Sequence, residues 1–197
     1  MTKISYHHGN LKQTILDEVL ELLNYKGFDE ISFRSISRNI GVVSSAPYNH
    51  FKNKKHLIKE VIFLGEKKLV NAISLEKKKS ILPNDQLRFI AKAYLNFASE
   101  EKALFNLMFS KENKELLHLC EKIVLQFEVV IIEKFKKGKR VKLTAKGSAI
   151  TAWSMIHGIA VTLNNSKKKN LESLWHMELE NILGEMSAIW GKGVSQK

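Results

Sequence analysis

Apolar residues along this chain recur at three- and four-residue spacing almost throughout, and the pattern predicts helices in series with no strand alternation. The first runs from about Asn10 to Tyr25, with Leu11, Ile15, Val19 and Leu22 on one face and Leu16, Leu20 and Leu23 widening it. Gly27 follows as a helix stop able to take the left-handed conformation. Ser32 is placed to cap a short second helix whose buried stripe is Phe33, Ile36 and Ile40, and Gly41 ends it. Ser44 is the cap candidate for a third, Ser45 to Phe51, with Pro47 in its first turn, where a missing N–H removes no intrahelical bond. Lys54 leads a long amphipathic segment carrying Leu57, Ile58, Val61, Ile62 and Leu69.

Beyond it the periodicity predicts helices from Pro83 and Asn84 to about Ala98, from Lys102 to Phe109, and from Asn113 to Lys137 before Gly138. One capped by Thr144 then runs to about Asn164, and a last one capped by Asn170 ends near Gly191. The fold class is therefore all-α: an N-terminal three-helix head, residues 1–56, on a C-terminal helical bundle, residues 57–197, that dimerises. Ile156, Ile159, Leu163, Leu174, Leu179, Ile182, Met186, Ile189 and Trp190 supply the apolar surface expected at that dimer interface.

Two short helices joined by a turn containing Gly41, and backed by a first helix, form the helix-turn-helix pattern. The turn must be tight so that the second helix of the motif can present its N-terminal residues to the major groove. Small side chains at Ser44, Ser45 and Ala46 allow close approach; the serines can bond phosphate or base edges, and Ala46 can meet a thymine methyl.

Composition sharpens this picture. The 197 residues carry a formal charge of +12, which points to an anionic partner, nucleic acid being the commonest. Lys77 to Lys79 and Lys167 to Lys169 sit where helices end, so they also serve simply to complement the helix dipole. A single cysteine, Cys120, excludes an internal disulfide, and no apolar run is long enough to span a bilayer; both fit a cytoplasmic protein without a membrane partner. Phosphate-loop, metal-spaced and nucleophile-elbow motifs are absent, which argues against an enzyme, and no cofactor or metal is expected; adjacent His7 and His8 lack further ligands. A non-enzymatic, basic, architectural DNA-binding protein without a ligand is the alternative, but it leaves the large apolar body unexplained.

The runs Tyr6-His7-His8-Gly9-Asn10-Leu11, Arg34-Ser35-Ile36-Ser37-Arg38-Asn39-Ile40-Gly41-Val42 and Ala46-Pro47-Tyr48-Asn49-His50-Phe51, with Lys54 and Leu57, closely resemble the head of the TetR (tetracycline-repressor-like) family. Trp153, His157 and Gly158 resemble the Trp-His-Gly signature of one of its subgroups. The resemblance covers residues 6–65 strongly and the body weakly. It implies a transcriptional regulator, a homodimer that binds a palindromic double-stranded DNA operator as a repressor and is released by a small-molecule effector. By position, DNA contacts fall to Ser32, Arg34, Ser44, Ser45, Ala46, Pro47, Tyr48, His50 and Lys54, with the arm Tyr6-His7-His8 near the adjacent groove. Val43 stands where the family often has a capping Ser or Thr, Ser37 replaces a small Ala, and Pro47 replaces an aliphatic residue.

Several of these residues carry two readings. Phe33, Ile36, Phe51 and Leu57 read as the core of the head. The Tyr48 hydroxyl meets either phosphate or a buried partner, His50 either DNA or the core, and Arg34 either phosphate or solvent. In the body, Phe97, Phe105, Met108, Trp153 and His157 are the ligand-binding candidates. Phe89, Tyr94 and Phe109 share their pattern, and plain core packing is the competing reading for all of them.

Overall fold

The computed structural model describes residues 10–137, 143–166 and 177–195. Among the described residues the chain is helical without a strand: α1 (Leu11–Tyr25), a 3-10 turn Phe28–Glu30, α2 (Phe33–Ile40), a 3-10 turn Ala46–Asn49, α3 (Lys54–Lys77), α4 (Pro83–Glu100), α5 (Lys102–Met108), α6 (Leu116–Lys137), α7 (Ala145–Asn165) and α8 (Leu179–Ser195). The Asn170 cap and Leu174 lie outside the described residues, as do the arm Tyr6-His7-His8 and Gly138.

The chain divides into two compact units. The first is the chain up to Glu66 together with Ala103–Lys114; the second is Lys67–Lys102 and the chain from Glu115 onward. The division falls inside α3, and α5 belongs with the first unit.

Local side-chain chemistry sets the helix ends of the first unit. Asn10 accepts from the Gln13 backbone N–H at 3.2 Å and opens α1. Ser32 and Ser35 form a reciprocal capping box at the start of α2, each hydroxyl accepting from the other's backbone N–H at 3.1 Å. Gly41 closes α2 in the left-handed region, φ 74°, and the Val42 N–H returns to the Ser37 carbonyl at 2.9 Å. This is a Schellman-type stop, and a side chain at that φ is strained. Asn53 accepts from the His56 N–H at 2.9 Å and starts α3. Ile15, Val19, Ile36, Phe51, Leu57 and Val61 are buried beneath these ends and form the core. At Gly65 α3 passes so close to α5 that an added Cβ would lie 2.6 Å from Met108 Sδ and 3.0 Å from Leu104 Cδ1.

Three expectations are corrected here. Gly27 is not left-handed (φ −60°, ψ 151°), because the chain leaves α1 extended at Lys26 and enters the 3-10 turn directly. Ser44 does not cap a third α-helix. Ser45 takes the cap position with helical angles (φ −84°, ψ −19°) and no side-chain bond, and the segment is a single 3-10 turn. Asn113 does not open α6; it is buried and donates from Nδ2 to the Met108 carbonyl at 2.8 Å, closing α5 instead.

In the second unit α4, α6 and α7 pack on one another and α8 packs on α4. Their shared core includes Ile90, Tyr94, Leu119, Ile123, Phe127, Ile131, Ala149, Ile156 and Ala160. Thr144 caps α7 through the Gly147 N–H at 3.1 Å, and Pro83 occupies the first turn of α4. Ile156 and Leu163, expected at a subunit interface, are buried within their own chain, whereas Ile150 and Ile189 are exposed.

Candidate nucleic-acid interface and effector cleft

The helix-turn-helix residues separate cleanly by exposure. Phe33, Ile36, Pro47 and Phe51 point inward, while Ser32, Arg34, Ser44, Ser45 and Tyr48 are exposed. Pro47 is buried, and its carbonyl accepts from the N–H groups of His50 at 3.0 Å and Phe51 at 2.9 Å. The Tyr48 ring packs edge-on against Phe33, centroids 4.7 Å apart, and leaves the residue 59% exposed. An apolar ring is anchored and its polar tip stays in solvent, the arrangement a phosphate-contacting tyrosine needs.

His50 is half-buried with its ring 6.4 Å from that of Phe51, and Ala46 is half-buried. The Lys54 Nζ lies 4.5 Å from the Phe28 ring centroid, a cation–π contact that already occupies the charge. The Ser32 hydroxyl is engaged in its capping box. Val43, the position where the resemblance places a capping Ser or Thr, is 71% exposed. Asn39 is not free for a partner: its Nδ2 donates to Glu18 Oε1 at 2.7 Å and ties α2 to α1.

The five ligand candidates divide between the units. Phe105 and Met108 are buried in the first, beside Gly65 in the case of Met108. Phe97, Trp153 and His157 belong to the second. There Tyr94, on α4, meets His157 on α7, hydroxyl to Nδ1 at 2.7 Å. Trp153 stacks on the His157 ring at 5.2 Å and 29°. Its buried Nε1 borders the Tyr94 hydroxyl without a hydrogen bond of acceptable geometry.

Burial holds the Tyr94 hydroxyl well above the ordinary tyrosine value of 10.0 and pushes His157 below the ordinary 6.5. Both directions favour the neutral pair, joined by one hydrogen bond between the hydroxyl and Nδ1. Periodicity marks Tyr94 as an inward residue, pocket wall or core, without pointing to His157, since its partner lies 63 positions away.

A separate open cleft lies beside this cluster in the sequence of α7 but on other side chains. Leu87, Arg88 and Ala91 of α4, Phe127 of α6, Ala152, Met155 and Ile156 of α7, and Leu183, Met186 and Ser187 of α8 enclose about 460 Å³, solvent included. None of the five candidates lines it. At its edge Glu180 bridges Arg88 (2.9 Å) and Lys92 (2.6 Å). Hydrogen bonds from Lys92 and then Arg88 hold the Glu180 carboxyl below the usual carboxylate range. Among the described residues no cluster of three or more His, Cys, Asp or Glu could hold a metal ion, and no helix is long and apolar enough to cross a membrane.

The chain is all-helical among the described residues, with a capped helix-turn-helix in its first unit and a helical second unit. Residues 15–61 match the family model for bacterial regulatory proteins of the tetR family. No curated protein sequence matches the chain. The fold as a whole is shared with solved structures at low identity. A protein of unknown function from Rhodococcus sp. RHA1 aligns over 98% of this chain and 99% of its own with a TM-score of 0.81 and 22% identity. The TetR-family regulator PfmR from Thermus thermophilus aligns over 92% and 99%, at 0.67 and 17%. The transcriptional regulator FadR from Bacillus subtilis, solved with stearoyl-CoA, aligns over 93% and 99%, at 0.72 and 12%. The fold of the chain is the one these solved structures share.

Proposed function

We propose that this chain is a cytoplasmic, dimeric transcriptional repressor that grips a palindromic operator through its first unit and is released by a small molecule held in its second. The observation that carries the reading is the outward array of Arg34, Ser44, Ser45 and Tyr48 around the Gly41 stop, set over a core of Phe33, Ile36, Pro47 and Phe51. Arg34 and Tyr48 are the principal backbone contacts, and Ser44, Ser45 and Ala46 face the base edges. Ser32, Pro47, His50 and Lys54 orient that surface from below.

Dimerisation is supported by the outer faces of α7 and α8, where Ile150 and Ile189 are exposed and an added Cβ at Gly158 or Gly184 would meet nothing within 4 Å. Small exposed residues permit close helix approach between copies, and a two-fold dimer would match two half-sites about one DNA turn apart. An effector that favours one head spacing over another would shift operator affinity. FadR, which shares the fold, holds stearoyl-CoA, and that precedent supports a ligand-responsive body.

The test is a gel shift on the DNA upstream of the protein's own coding sequence, with and without candidate effectors. Arg34→Ala should weaken binding and lower the slope of log affinity against log salt by about 1, because one phosphate contact is lost. Tyr48→Ala should weaken binding as much while leaving the slope unchanged, because the phenol is neutral. Unaltered binding in both variants would remove the interface from this surface.

A further inference from the structure

Arg88 borders two spaces at once. It lines the apolar cleft, and it lines an adjoining polar recess of about 290 Å³ with Asp85, Lys92 and Glu180. In that recess both oxygens of one carboxylate are accounted for: Glu180 Oε2 accepts from Arg88 at 2.9 Å and Oε1 from Lys92 at 2.6 Å. The two cations are therefore already arranged around a carboxylate, at the edge of an apolar cleft that is open to solvent. All three ion-pair side chains are 42–47% exposed, so the pair is weakly held and Glu180 has solvent to move into. Asp85 does not compete for the cations, since it accepts from the Ser80 hydroxyl at 3.1 Å.

We propose that this cleft binds an anionic amphiphile of the fatty-acid class, its chain between α4, α7 and α8 and its carboxylate on Arg88 and Lys92 in place of Glu180. Glu180 is then an internal occupant of the head-group site. Because it lies in the first turn of α8, ligand entry removes a tie between α8 and α4, the helix pair that closes one side of the cleft. The proposal rests on the ligand-responsive reading above and assigns its site and ligand class.

The experiment is titration calorimetry of the full chain with decanoate and with decanol, both below micelle formation. Decanoate should bind at least tenfold more tightly than decanol. Glu180→Gln should tighten decanoate several-fold and leave decanol unchanged, and Arg88→Gln should abolish the preference for the acid. Equal binding of acid and alcohol, or a Glu180→Gln variant indistinguishable from the parent, overturns the proposal. So does an Arg88→Gln variant that sediments as a monomer with decanoate affinity intact, because the cleft is then a seam between copies. If decanoate binds as described but leaves operator binding untouched, the site stands and the ligand-responsive reading fails. If another ligand class releases DNA while decanoate does not bind, that reading stands and this site fails.

Discussion

In the first unit polar side chains sit at helix ends, where Asn10, Ser32, Ser35 and Asn53 satisfy backbone N–H groups, or on the outside, as with Arg34 and Tyr48. In the second unit the distinctive polar groups lie among helices: Tyr94 against His157, with the Trp153 indole N–H buried beside them. The contrast is one of solvation. Donors left in water need no internal partner, and buried rings serve them only as a platform. Groups carried inward meet the desolvation cost as neutral, mutually bonded pairs.

The largest test of the contrast is in the first unit's packing. At Gly65 even a methyl group would meet Met108 Sδ at 2.6 Å, so Gly65→Val should destabilise by about 1–3 kcal/mol through overpacking. All three tryptophans, Trp153, Trp175 and Trp190, belong to the second unit's stretch of chain. Urea unfolding followed by far-UV dichroism and by tryptophan emission therefore reads the whole chain and the second unit separately. A midpoint that falls in dichroism ahead of emission shows that the damage starts in the first unit. Coincident loss shows that the two units unfold together.

The second unit answers to pH instead. Burial depresses the folded-state pKa of His157 below the ordinary 6.5, so the unfolded chain takes up the proton first. Stability contributed by the neutral ring is complete above pH 6.5 and drains as pH falls from there toward the folded-state value. Protonation places a charge on the half-buried ring beside the Tyr94 hydroxyl. Thermal melts between pH 7.5 and 5 should show a fall in stability that His157→Gln reduces, with Tyr94→Phe reducing it less. A His157→Gln variant with the same pH profile as the parent would place the titration elsewhere.

Features set by near neighbours along the chain are legible from the amino-acid sequence. The Ser32 cap, the Gly41 stop and the Thr144 cap each depend on residues within one or two turns, and all three hold; of the α2 stripe Phe33 and Ile36 are buried, while Ile40 is only half-buried. The third helix of the head is a local departure: the segment takes three-residue bonds, Ala46 to Val43, Tyr48 to Ser45 and His50 to Pro47, and closes as a 3-10 turn. The exposed side of Tyr48 was legible as an alternative; its anchoring on Phe33, fifteen positions earlier in the chain, was not. In the body, helical spacing marked apolar residues without saying which of two faces each would meet. Ala152, Met155 and Ile156 line the cleft while Trp153 and His157 turn to Tyr94, and only the packing of α4 against α7 decides between them. The Glu180 bridge joins residues 88 and 92 positions apart, a separation that no local pattern records.

The smallest expected effect has the opposite sign and comes from the one place where the first unit breaks its own rule. Ser37 is 1% exposed, and its hydroxyl has no hydrogen-bond partner even though its carbonyl receives the Val42 N–H of the Gly41 stop. A buried unpaired hydroxyl costs on the order of 1 kcal/mol, and alanine removes it without altering the backbone bonds and with better helix propensity. Ser37→Ala should therefore stabilise the chain by up to about 1 kcal/mol and leave operator affinity unchanged, because the side chain faces the core and not the Arg34–Tyr48 surface. A rise in the dichroism midpoint with an unaltered gel shift separates packing from recognition within a single helix. A loss of stability would instead mean that the hydroxyl is satisfied in solution, by a water between α1 and α2, and that the first unit keeps a polar group inside much as the second does.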